Sequence, residues 1–328
     1  MPSTPRPDRK AAAPTALASL ASLASWQRAS ASARSAAVRA LLVGLGSGFA
    51  ARPGTAGSHA LPVIEHQPTS IQLVAVPGGA FRMGLRADEL AAVLRMVSPE
   101  SAAELRAVAS IARPVHRVRV APFLCARAPL LVGQAERLVG ALDEDVARPD
   151  VGEGERVIAY LSRREAKRAA RRLGWQVIAE AQWEYLARDA GDGAWIGEPL
   201  RSADPDDALA VKAFCKRPAL EGRPSRGSVD AFGVWGLMAG EWTADAWHDT
   251  YDGAPRRAVA WSAGAAPALG VVRAMGCSVS WPWQSDEEIL GCHASTRSDG
   301  RGADQAWALR LVLPIPGVER PARRVSPG

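Results

Sequence analysis

The sequence predicts an α+β domain with a few short strands, about three to four helices and long ordered loops. Two stretches with the alternation of strands, 71–83 and 115–120, lie on either side of a stretch with helical periodicity. More helical stretches follow up to Gly191. Beyond Gly191, glycine and proline become frequent and regular periods fade, which indicates short strands joined by ordered loops.

The strand assignments depend on alternation and turn chemistry. Apolar and more polar residues alternate from Ile71, in the stretch IQLVAV. The turn residues Pro77-Gly78-Gly79 interrupt the alternation, and Phe81 and Met83 resume it. The later stretch VHRVRV, at 115–120, places its two arginines on one face of a strand and two of its valines on the other.

Helical periodicity marks four stretches, at 87–112, 130–142, 162–175 and 179–191. The third has the clearest ends. Ser162 and Glu165 stand in capping-box register at its start, and Gly174 is a plausible C-cap.

The chain divides by composition into three segments. Residues 1–70 are rich in Ala, Ser and Arg, and we expect a disordered extension because alanine buries little apolar surface. The folded domain is expected at 71–313, and a disordered tail at 314–328. The apolar run at 40–51 is also compatible with a secretory leader, although it begins far from the N-terminus for such a signal.

The charge pattern bears on possible partners. The net charge is +6, and residues 1–64 hold much of the excess, with one acidic residue, Asp8. Their aromatic residues are Trp26 and Phe49, which give no stacking platform, so we expect no nucleic-acid partner. No apolar run approaches the roughly 18 residues that cross a bilayer, so we expect no transmembrane segment.

Cysteine and histidine spacing gives no local metal motif. The four cysteines, Cys125, Cys215, Cys277 and Cys292, include no Cys-x2-Cys pair. This spacing argues against a zinc ribbon and against a disulfide-dense scaffold. No histidine pair has His-x3-His spacing. A reducing compartment fits best, and we expect a cytoplasmic protein.

Several short motifs occur in a fixed order between residues 71 and 313. They are PGGAFRMG at 77–84, PVHRVRV at 114–120, the stretch Val177 to Arg188, DAFGVWGLMAGEW at 230–242, and the arginines Arg273, Arg297 and Arg310. In this order they resemble the formylglycine-generating enzyme family, also called the sulfatase-modifying-factor domain. The resemblance implies an irregular fold similar to C-type lectins. In such a fold, the helix with EAQWEYLAR at 180–188 would be held by ion pairs and by buried Trp183 and Tyr185.

The resemblance also implies copper chemistry, and here the sequence departs from the family. Oxidase members carry a Cys-x4-Cys motif before an arginine, and the two thiolates bind copper(I) to oxidise a substrate cysteine to formylglycine. If Arg297 is that arginine, Ile289 and Ala294 occupy the cysteine positions. The alternative is a rearranged pair, Cys277 and Cys292, that would hold copper(I) and keep the oxidase activity.

Two other cofactor sites of related proteins lack their motifs. The family's MAGNVWEW, which contributes to a structural calcium site, is shortened here to MAGEW at 238–242, which argues against a structural calcium. The His-x3-His-x-Glu iron motif of the related sulfoxide synthases is missing. We therefore predict no cofactor.

The most distinctive segment of the C-terminal half combines tryptophans with acidic residues. Core filling is one interpretation, because tryptophan is mostly buried. The other is a binding surface, since exposed tryptophan beside carboxylates suits a cationic peptide, a sugar or a partner protein. The candidate ligand-binding residues are Trp235, Trp281, Trp283, Asp286, Glu287, His293 and Arg297.

The sequence therefore predicts a non-catalytic module that binds a peptide, a partner protein or a small ligand. The binding loops are expected around 235–301. One alternative function is the copper-dependent oxidase that uses Cys277 and Cys292, and another is a subunit that only supports an assembly.

Overall fold

A computed structural model describes residues 16–142, 158–191, 193–194, 230–237, 239–264, 269–274, 295, 297–300 and 306–317. The α-helices are α1 Leu23–Arg28, α2 Ala31–Leu45, α3 Ala87–Met96, α4 Pro99–Val108, α5 Val132–Val139, α6 Arg163–Leu173 and α7 Glu180–Ala187. The strands are β1 Phe49–Ala56, β2 Leu61–His66, β3 Ile71–Val76, β4 Gly79–Met83, β5 His116–Val120, β6 Phe123–Ala126, β7 Gln176–Val177, β8 Glu241–Ala246, β9 Gly270–Arg273, β10 Arg297–Ser298, β11 Ala308–Leu309 and β12 Leu311–Pro314. Short 3-10 helices lie at Leu17–Ala21 and Ala109–Ala112. The fold is α+β and loop-rich, which confirms the predicted class.

The largest sheet has six antiparallel strands in the order β1-β2-β3-β6-β12-β7. Cys125 on β6 lies opposite Val74 of β3 on one side and opposite Val312 of β12 on the other. All three residues are buried. Because β12 lies between β6 and β7, the C-terminal strand is fixed within the same sheet as the N-terminal strands.

Helix α7 packs against both smaller sheets. One is the antiparallel β4–β5 ribbon, and the other has the order β10-β9-β8-β11. Phe81 on β4 lies opposite Val118 on β5, and the Phe81 ring centroid is 5.6 Å from that of Tyr185 on α7. Trp183 on the same helix is fully buried, as expected. Large apolar side chains therefore fix α7 in the centre of the domain.

Local chemistry explains where the helices begin and end. Ser162 accepts a hydrogen bond from the Glu165 N–H and its own N–H donates to the Glu165 carboxylate, so the predicted capping box before α6 is confirmed. Gly174 closes α6 in the left-handed region, at φ 67°. The predicted helix over 87–112 is interrupted before Pro99, which begins α4 because proline is tolerated in a first helical turn. None of the described helices is both long and apolar enough to cross a bilayer.

The expectation that residues 1–70 form a disordered extension is wrong from residue 16 onward. This segment forms α1, α2, β1 and β2, and β2 pairs with β3 along Val63–His66. Leu20, Trp26 and Leu41 are buried in the main core. The composition was misleading because a few large apolar side chains, spaced among alanines, supply most of the buried surface.

The expected C-terminal boundary at residue 313 falls slightly early. Strand β12 continues to Pro314, and the next side chain, Ile315, is buried in the main core. The rest of the predicted tail, from residue 318 onward, lies outside the described residues.

The N-terminal segment should be required for stability. Trp26 is 2% exposed, and its indole N–H donates to the His59 carbonyl oxygen at 3.2 Å. We expect Trp26→Ala to lower the free energy of unfolding by about 3–5 kcal/mol, the usual cost of deleting a core aromatic side chain. Thermal and urea unfolding would measure the change. The control is Val43→Ala on α2, where Val43 is 85% exposed. Equal stability of both variants would contradict this account.

Candidate functional site

Helix α7 and its C-cap residue carry three charged side chains at four-residue spacing: Glu180 and Glu184 on the helix, and Arg188 at the C-cap. This spacing places them along one face of the helix. All three side chains are buried. A buried charge is tolerated only when it is paired and hydrogen-bonded, so the elements around α7 must supply partners.

Glu184 lies between two arginines. Its Oε1 accepts from Arg188 Nε at 2.7 Å and from the Gly84 N–H at 2.8 Å, and its Oε2 accepts from Arg273 Nη2 at 3.0 Å. Arg188 also donates to the carboxylate of Glu89. Burial by itself raises the pKa of Glu184, but the two arginines outweigh burial and hold that pKa below its ordinary value. Glu184 is therefore an ionised, structural carboxylate.

Glu180 also contacts Arg273, and it links Arg273 to a further arginine, Arg297. Its Oε1 accepts from Arg273 Nη1 at 3.0 Å and from the Tyr251 hydroxyl at 2.9 Å, and it lies 2.7 Å from Arg297 Nε. The guanidinium of Arg273 also lies over the Trp183 ring, 4.9 Å from its centroid. These contacts form one cluster, the buried ion network: Glu89, Glu180, Glu184, Arg188, Arg273 and Arg297.

Arg297 belongs to this network and is 3% exposed. Its Nη1 donates to the carbonyl oxygens of Ile111, at 2.7 Å, and His248, at 2.9 Å. Its guanidinium carbon lies 4.5 Å from the centroid of the Trp247 ring. Arg297 was a predicted ligand-binding residue, but the structure places its guanidinium beneath the surface, where it holds the backbone near His248.

A second buried ion pair supports Trp235. Arg310 donates to both carboxylate oxygens of Glu241, at 2.9 Å and 2.7 Å, and also to the Trp235 carbonyl oxygen at 2.7 Å. The Trp235 ring is half-buried, and the Arg127 guanidinium lies 5.0 Å from its centroid. Of the predicted binding residues within the described chain, Trp235 is therefore the one with a partly accessible side chain.

The loop after β8 presents aromatic side chains at the surface. We call residues 247–264 the aromatic loop. Trp247, His248 and Trp261 are all partly exposed, and the His248 and Trp261 rings stack in parallel with centroids 3.4 Å apart. The Trp247 indole N–H donates to Asp249 at 2.8 Å. Tryptophans in the C-terminal half were expected either to fill the core or to form a binding surface. Trp247 and Trp261 lie between the core and the surface, since each is partly buried and partly exposed.

The ends of the aromatic loop are tied together through His248. Its Nδ1 lies 3.0 Å from the Ala246 carbonyl oxygen, and its Nε2 lies 2.9 Å from the Ala263 carbonyl oxygen. At the base of the loop, the Trp261 N–H donates to the Asp245 carboxylate at 2.8 Å.

The other predicted site residues lie outside the described part of the chain: Cys277, Cys292, Trp281, Trp283, Asp286, Glu287 and His293. Within the described part, no group of three or more His, Cys, Asp or Glu side chains could hold a metal ion. Cys125 is buried there, and burial raises the pKa of its thiol.

Sequence reasoning did not select Trp247, His248 and Trp261 as site residues. Their place in a loop was predictable, because regular periods are absent after Gly191. The parallel stack of His248 on Trp261 was not, since thirteen positions separate the two residues in the chain.

Comparison with solved structures shows the class of fold. PvdO from Pseudomonas aeruginosa is similar to this chain with a TM-score of 0.54 and 21% identity, over 76% of this chain and 97% of PvdO. Treponema denticola variable protein 1 is similar with a TM-score of 0.51 and 12% identity, over 83% of this chain and 100% of that protein. The chain shares the fold of these proteins. No family model and no curated protein matches it, so membership of the formylglycine-generating enzyme family stays a prediction.

Asp245, at the base of the aromatic loop, should make stability depend on pH. Burial, and next the charge of Glu180, raise the pKa of Asp245 from 3.8 to about 7. Between these two values the folded protein holds a proton that the unfolded chain has lost, so stability falls as pH rises through this window. Relative to Asp245→Asn, the native protein should lose on the order of 4 kcal/mol between pH 4 and pH 8.

Urea unfolding of both proteins across this pH range would measure the difference. Asp252→Asn is the control, because Asp252 is exposed on the same loop. A difference between native protein and Asp245→Asn that stays constant with pH would contradict the raised pKa.

Proposed function

We propose that this chain is a divergent formylglycine-generating-enzyme-like domain that acts as a binding module for a peptide or a partner protein. The binding surface lies in the loops around 235–301. The observation that supports this proposal is the aromatic loop, which presents Trp247 and Trp261 at the surface above a buried base. Loops held by rigid elements are the usual place for binding residues.

The aromatic loop has the properties of a preorganised contact surface. Arg297 and Asp245, both buried, hold its backbone at His248 and Trp261. The loop also forms a bridge to β5, where the Ala258 N–H donates to the Arg119 carbonyl oxygen at 2.8 Å. Anchors of this kind reduce the entropy lost when a partner binds. Tryptophan is also among the side chains that contribute most to protein interfaces.

The rival function is copper-dependent oxidation by Cys277 and Cys292. We expect no stoichiometric copper(I) binding and no oxidation, because Ile289 and Ala294 at the family's cysteine positions cannot bind a metal. A copper(I) competition assay under reducing conditions tests binding. Mass spectrometry of a Cys-x-Pro-x-Arg peptide, incubated with the protein and oxygen, tests the reaction. Copper binding that is lost in both Cys277→Ala and Cys292→Ala, together with aldehyde formation, would establish the oxidase.

The binding function itself can be tested with a displayed library of random peptides. We expect selection on the native protein to enrich peptides whose affinity falls by about tenfold or more in Trp261→Ala, as for interface hot spots. Val43→Ala is the control, since Val43 is exposed on the remote helix α2. Affinities would be measured by calorimetry. Failure to enrich any peptide, or equal affinity for all three proteins, would refute the aromatic loop as a binding surface.

A further inference from the structure

A strip of arginines covers the outer face of the β4–β5 ribbon. Arg82 on β4 lies directly opposite Arg117 on β5, and Arg119 follows two residues later on the same face. Arg257 of the aromatic loop pairs with Arg119 in a parallel bridge. All four side chains are exposed. We call these four residues the arginine strip.

The four guanidinium groups of the arginine strip have no counter-ion within the described part of the chain. In the described part of the chain, no carboxylate lies within ion-pair distance of any of its four guanidinium groups. Two arginines nearby do have carboxylate partners: Arg86 pairs with Glu89 at 3.0 Å, and Arg188 with Glu184 at 2.7 Å. The strip therefore concentrates four uncompensated positive charges on a few strand positions.

The strand register makes this arrangement unfavourable in the free protein. Arg82 and Arg117 form an antiparallel cross-strand pair that places like charges directly opposite each other, and a parallel bridge brings Arg257 beside Arg119. Like charges that face each other in an antiparallel pair destabilise a sheet. The buried inner face, with Phe81 and Val118, fixes the register and leaves the arginines no other face. A bound polyanion would remove the repulsion, whereas solvent only screens it.

We propose that the arginine strip binds an acidic segment of a partner protein. The planar guanidinium fork pairs with carboxylates through two parallel hydrogen bonds. Arg117 and Arg119 are two residues apart on one strand, which matches the spacing of alternate carboxylates on an extended acidic peptide, about 7 Å. This proposal rests on the proposed binding function and names the chemistry of the partner, since Arg257 belongs to the aromatic loop.

Two other polyanions fit the strip less well. Single-stranded nucleic acid is usually held by aromatic side chains that stack on bases, but the outer face of the ribbon carries Ala80 beside its arginines and no aromatic residue. Binding to an anionic membrane usually adds a face of apolar side chains that enter the bilayer. Neither feature is found on the outer face of the β4–β5 ribbon, which carries three of the four arginines, so an acidic protein segment is favoured.

The test uses the full chain and a dye-labelled peptide of alternating glutamate and serine, followed by fluorescence anisotropy. We expect binding that weakens with added salt, and a loss of affinity of about tenfold or more in the double variant Arg117→Gln/Arg119→Gln. The matched control is Arg164→Gln/Arg172→Gln, which removes the same charge from exposed positions of α6. Its affinity should stay within about twofold of the native value.

Thermal unfolding at low salt gives a second readout. The double variant Arg117→Gln/Arg119→Gln, called the strip variant, should melt at or above the native temperature, because a repulsive pair is removed. A lower melting temperature would assign the arginines a structural role. In that event the peptide-binding measurement is made with Arg257→Gln instead, because Arg257 lies outside the β4–β5 ribbon.

Three results would overturn the proposal. They are no binding of the peptide, an equal loss in the strip variant and the α6 control, and tighter binding of oligodeoxythymidylate or phosphatidylserine vesicles than of the peptide. Any of these could occur while library peptides still bind through Trp261, so failure of the strip would be distinguishable from failure of the proposed function.

Discussion

The sharing of Glu184 between Arg188 and Arg273 is the interaction on which the rest of this structure depends. The helix that carries Glu184 is only two turns long and could not be stable without tertiary contacts. Its ion pairs reach β9 through Arg273 and the start of α3 through Arg188 and Glu89. Loss of one partner from such a pair leaves a buried charge uncompensated, which typically costs about 3–5 kcal/mol. The carboxylates and guanidinium groups thus join segments that have few backbone hydrogen bonds to each other.

The same network links the core to the surface. Glu180 holds Arg297, and Arg297 holds the backbone at His248, where the aromatic loop begins. The loop then crosses to β5 and contributes Arg257 to the arginine strip. Buried charge therefore positions both the tryptophans and the exposed arginines. A partner that contacted both surfaces would meet a face whose geometry is set before binding, which favours affinity without a large cost in entropy.

Much of the fold could be predicted from local patterns. Alternation at 71–83 marks β3 and β4, and capping residues mark the ends of α6. The same approach failed for residues 16–70, because the average composition of a segment conceals a few large side chains such as Trp26. The predicted ligand-binding residues have different positions in the structure. Trp235 is partly accessible, Arg297 is buried, and the remaining predicted site residues lie outside the described chain.

The sequence by itself determined the α+β class, the positions of most central elements and the choice of charged residues at four-residue spacing on α7. These depend on contacts between residues close in the chain, which periodicity and capping rules describe. Only the tertiary structure decided which arginine pairs with Glu180, that His248 stacks on Trp261, and that Arg82 faces Arg117. Each of these contacts joins residues distant in sequence, and strand register and the packing of the core, rather than local preference, bring them together.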